Sequence, residues 1–144
     1  VALLGVLVTL NIRYSNILYL KADVMQTQMI SYYTTLITRI ESIEGYTEDA
    51  QVVYIGEYDK HDKNLVGISE YFDDLDLATY KGEPIFNDYA WKEAMEFWCG
   101  FAPELGDAAE FDGNAEVASM PCYPDQGSIR CINGKIVVKF ADEP

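Results

Sequence analysis

Three carboxylates and the one histidine fall within six residues, Glu57, Asp59, His61 and Asp62, and they are the densest chemistry in the chain. An imidazole among carboxylates can move a proton near neutral pH or, with further ligands, hold a divalent metal. The stretch EYDKHDKN that carries them follows a strand-like run, the position at which α/β folds place active sites. The same composition is that of an ordinary solvated turn, and this simpler reading outweighs the catalytic one. A second acidic group, Asp73, Asp74 and Asp76 in SEYFDDLDL, lacks the central Gly and closing Glu of a calcium loop. Ser128 follows Gly127 without a nucleophile-elbow sequence, and a chain with one histidine offers no triad order around it. Gly106 and Gly113 have neither the spacing nor the lysine of a phosphate loop. No catalytic, cofactor-binding or metal-ligating residue is therefore assigned, and no cofactor is expected.

Three cysteines, Cys99, Cys122 and Cys131, allow one internal disulfide and leave one thiol. Cys122 with Cys131 would close a short loop, YPDQGSIR, and Cys99 with Cys122 is the alternative pair. A zinc cluster is disfavoured, because the cysteines lack close paired spacing and His61 is distant in sequence. Tyr123 lies between Pro121 and Pro124, and with Tyr32, Tyr33, Tyr71 and Tyr89 it could supply rings for stacking on a sugar or a partner. Core packing is the simpler fate for most of them.

The elements that would position these groups begin with a long helix. From Tyr14 to Ile43 the apolar residues Ile17, Leu18, Met25, Met29, Tyr32, Tyr33, Leu36, Ile37, Ile40 and Ile43 recur at three and four, without Pro or Gly. Gly45 supplies the stop. Upstream, VALLGVLVTL is ten residues without a charge, read as the end of a transmembrane helix over residues 1–13; Arg13, with Asn11, Ser15 and Asn16, would mark the interface. QVVYIG, Gln51 to Gly56, reads as a buried strand. Asn87 and Asp88 would cap a second helix, Tyr89 to Cys99, with Trp91, Met95 and Trp98 on its apolar face and Gly100 ending it. Gly100 to Asn114 reads as loop or weak helix. Ser128–Ile132 and Lys135–Phe140 flank Asn133-Gly134, the dipeptide of a type I′ hairpin. The expected fold class is α+β, a long N-terminal amphipathic helix packed with a second helix on one face of a small sheet that ends in a β-hairpin. Residues 14–144 form a single extracytoplasmic domain in this reading.

Ten Lys and Arg against 24 Asp and Glu give a formal charge of -14 over 144 residues, which repels nucleic-acid phosphates and anionic headgroups. Nucleic acid is not an expected partner. An aromatic fraction of 13% argues for a packed core rather than disorder.

The segments YYTTLITRIESIEGY and QVVYIG, and above all MPCYPDQGSIRCINGKIVVKF, carry a resemblance. Together they resemble the C-terminal extramembrane domain of bacterial GtrII-type multi-spanning glucosyltransferases, membrane enzymes that use lipid-linked sugars to modify cell-surface polysaccharide. The resemblance implies a non-catalytic accessory domain on the extracytoplasmic side of the bacterial cytoplasmic membrane. Its implied partners are the membrane-embedded part of the same protein and a lipid-linked sugar or surface polysaccharide. It assigns no catalytic residue to this chain. The alternatives are a membrane-anchored glycan- or protein-binding module and a small metal-dependent hydrolase using the His61 loop.

Overall fold

The computed structural model describes residues 2–56 and 90–142. The first helix, α1, runs unbroken from Ala2 to Glu41, so the apolar start and the amphipathic stretch are one rod of 40 residues, about 60 Å long. Its two halves have different fates. Met29, Tyr33, Leu36, Ile37 and Ile40 form a stripe at helical spacing and are buried, whereas Leu3, Leu4, Val6, Leu7, Val8, Leu10 and Ile12 are each at least half exposed. Gly45, at a φ of 94°, turns the chain after α1, as expected.

Strand β1 (Val52–Ile55) is the expected buried strand, and helix α2 (Ala90–Cys99) is the expected second helix, followed by Gly100 at a φ of 67°. Met95 of α2 enters the core, but Trp98 is 48% exposed and packs edge-on against the exposed Phe97. Only part of the expected apolar face of α2 is therefore buried. The 100–114 stretch resolves into a single bridge at Leu105, a 3₁₀ turn (Ala108–Phe111) capped by Asp107, and the start of a one-turn helix α3 (Ala115–Ala118) capped by Asn114. In both caps the side-chain oxygen accepts from backbone N–H groups that the first turn leaves without helical partners.

The hairpin strands are β2 (Ile129–Ile132) and β3 (Lys135–Lys139), joined through Asn133 and Gly134 at φ values of 54° and 77°. Two positive φ angles at consecutive loop positions are the type I′ geometry that the Asn-Gly pair predicts. The sheet order is β1-β3-β2: β3 is central, antiparallel to β2 and parallel to β1, with Val53 opposite Val137. Side chains alternate across it. Val52, Ile129, Ile136 and Val138 face the core built by α1 and α2, while Val53, Ile132 and Val137 face a second core with Phe111, Val117 and Met120. The sheet is thus covered on both faces, not one, which explains why Ile136, Val137 and Val138 are all fully buried and why β3 reads as a continuous apolar run. At roughly 1.5–3 kcal/mol per fully buried aliphatic side chain, these two cores dominate the favourable side of folding.

Candidate functional site

Residues Glu57, Asp59, His61 and Asp62, the acidic group Asp73, Asp74 and Asp76, and Tyr71, Tyr89, Asn87 and Asp88 lie outside the described residues. Among the described residues, no group of three His, Cys, Asp or Glu is placed to hold a metal ion. Ser128 is 1% exposed, and its hydroxyl donates to the Asp125 carbonyl at 2.7 Å, so it braces a turn rather than presenting a nucleophile. Gly106 admits a close backbone approach: a Cβ there would stand 2.6 Å from Val53 Cγ2, while its N–H donates to Val52 O across the edge of β1. Cys99, Cys122 and Cys131 are free thiols, all half-buried. Cys99 and Cys131 pack against the core on the α1 side of the sheet, so burial in apolar surroundings accounts for both without a cross-link.

The polar groups that do converge lie where α1 ends against the turn before β2. Arg39, Ser42 and Ile43 from the end of α1 face Asp125, Gln126, Gly127, Ser128 and Ile129 across an open cleft of about 400 Å³. The turn that forms one wall is fixed by its backbone: Asp125 N–H donates to Cys122 O, and Ser128 N–H donates to Asp125 O. Arg39 is fixed as well. Its guanidinium lies 5.3 Å from the centroid of the Tyr123 ring and donates to Pro124 O at 2.6 Å. Behind it, Tyr123 meets Tyr32 and Phe140 edge-on, and Phe140 stacks on Tyr54. The expected tyrosines Tyr32, Tyr33 and Tyr123 therefore build an aromatic layer beside the sheet, and burial pushes the Tyr54 hydroxyl above its ordinary ionisation range.

Lys139 was not foreseen from the sequence. It is 3% exposed, and its ammonium donates to the carbonyls of Val117, Ala118 and Met120 while pairing with Asp142 at 2.7 Å. A positive charge at these carbonyls closes the C-terminal end of α3 onto the sheet. The signal in the sequence is the alternation of KIVVK, which puts Lys135, Val137 and Lys139 on one face. Lys135 uses the same face to pair with Glu110.

The remaining feature is the N-terminal half of α1. Leu3–Leu20 is long and apolar enough to cross a membrane, none of it is buried, and Arg13 is its one charged residue. The apolar stretch thus extends beyond Arg13, the expected boundary. A signal sequence satisfies the same requirements of length and composition. No protein-family model, curated protein or solved structure matches the chain.

Proposed function

We propose that this chain is a membrane-anchored, extracytoplasmic accessory domain of a multi-spanning glucosyltransferase of the GtrII type, non-catalytic in itself. The observation that carries the anchoring is the division of α1: one helix has an exposed apolar half and a half whose buried stripe builds the domain core. An exposed apolar surface of that length is unfavourable in water and favourable in hydrocarbon, and an unbroken helix couples the lipid segment rigidly to the folded domain. The glucosyltransferase assignment rests on the sequence resemblance, centred on Met120 to Phe140. Among the described residues, the polar groups that meet at the end of α1 are a guanidinium, a carboxylate, an amide and hydroxyls, a set that supports a binding role.

The test is the side of the membrane that the domain occupies. Asp112 is exposed in a turn beside Phe111, which packs on the face of the sheet away from α1, and Asp112→Cys gives a reporter more accessible than the half-buried native thiols. Labelling of this variant in intact cells by a membrane-impermeant maleimide, above the native background, is the expected result. Labelling only after lysis, or recovery of the native protein without membrane association, overturns the reading.

A further inference from the structure

We infer that the cleft between the end of α1 and the 125–129 turn binds a neutral saccharide. Arg39 and Asp125 line the same cleft with opposite charges, joined by the Gln126 amide and by the Ser42 hydroxyl, which donates to Arg39 O and keeps its lone pairs for a ligand, over the half-buried Ile43. A singly charged ligand would meet one attractive and one repulsive group there. Adjacent hydroxyls of a sugar are donors and acceptors at once, so they satisfy a guanidinium, a carboxylate and an amide together, while a C–H face of the ring covers Ile43. The net charge of -14 further disfavours anionic ligands.

The cleft is also built in advance. Tyr123 and Pro124 hold Arg39, so one N–H group is occupied and the rest of a five-donor fork is already ordered. On the opposite wall, the hydrogen bonds of Asp125 and Ser128 fix the turn, with the buried Ser128 hydroxyl beneath it. Arg39 lies 19 residues beyond Leu20, about 29 Å along the helix axis from the end of the apolar segment. That height places the cleft away from lipid headgroups and suits a glycan extending from the surface. This last step rests on the extracytoplasmic reading, whereas the ligand class rests on the cleft.

The experiment is saturation-transfer NMR on the full chain in nanodiscs, with methyl α-glucoside and maltose as probes and a zwitterionic tripeptide as competitor. Saturation transfer to a saccharide is expected, with affinity reduced about tenfold in Asp125→Ala and in Gln126→Ala. Glu116→Ala, on the opposite side of the sheet, should bind as the native chain does. Absence of transfer to both saccharides overturns the inference, as does binding unchanged in both cleft variants, or binding of the tripeptide in preference to either sugar. External labelling of Asp112→Cys without saccharide binding sinks the cleft and leaves the accessory-domain reading standing; saccharide binding with internal labelling does the reverse.

Discussion

The guanidinium of Arg39 lies over the ring of Tyr123, 5.3 Å from its centroid, and this contact ties the last turn of α1 to the segment that leads into β2. Two residues 84 positions apart thereby join the end of the long helix to the chain that enters the sheet. The guanidinium also donates to Pro124 O, so it serves both sides of the Tyr123-Pro124 peptide.

Removing that tie should be measurable. Arg39→Ala is expected to lower stability by about 1 kcal/mol, a sum of an exposed cation–π contact and a charge-assisted hydrogen bond, both weakened by solvent. Arg39→Lys keeps the charge but loses the planar stacking and should recover only part of the loss. Urea midpoints at constant slope read both effects.

Lys139 gives a larger expected effect. Lys139→Met preserves the buried stem but removes the donor shared by Val117, Ala118 and Met120, and should cost about 2–4 kcal/mol by denaturation. Asp142 is 81% exposed, and Asp142→Asn should change stability by less than about 1 kcal/mol. A large loss in the asparagine variant would show that the ion pair, and not the carbonyl cage, holds the lysine.

Much of this architecture was legible because it is local. The 29, 33, 36, 37, 40 stripe and the Asn-Gly pair each specify their element within a few residues, and both appear as written. The pairing of β1 with β3 is different: Val52 meets Ile136 across most of the chain, and nothing local encodes a parallel register. The second core was missed for a related reason. Phe111, Val117 and Met120 come from a 3₁₀ turn, a one-turn helix and the residues after it, elements too short to show a period. Trp98 shares the α2 stripe with Met95, but periodicity gives the side of a helix and not how far its neighbours extend to cover it. The cleft was hidden because its two walls, the end of α1 and the 125–129 turn, are distant in sequence.

Tyr54 should make stability fall in alkali. Burial raises its ionisation above the ordinary value of 10.0, so the folded state keeps the proton where the unfolded chain releases it. The contribution is complete below 10.0 and declines as pH rises from there toward the folded value. Tyr54→Phe should flatten that decline relative to the native chain. The readout is the slope of unfolding free energy against pH, since the absolute stability of the variant also reflects any lost contact of the hydroxyl. An unchanged slope would mean that Tyr54 is not the group responsible.

The division of α1 predicts that membrane association and folding stability separate by position along one helix. Leu10 is 56% exposed and lies within the apolar segment, so Leu10→Asp leaves the two cores of the domain untouched. In lipid the same carboxylate costs up to about 2.5–3.5 kcal/mol near the centre of a span, less the part that an i,i+3 pair with Arg13 returns. Leu36 is 1% exposed in the same helix, and Leu36→Ala should cost about 2–5 kcal/mol of stability through loss of contacts and the cavity left behind. Its effect on membrane partitioning should be small so long as the helix persists. Flotation with vesicles reads the first property and thermal unfolding in detergent the second. Leu10→Asp should therefore reduce flotation at constant Tm, and Leu36→Ala should lower Tm at constant flotation. A fall in Tm for Leu10→Asp comparable to that for Leu36→Ala would mean that the apolar half packs on the domain, and the anchor reading would fail with it.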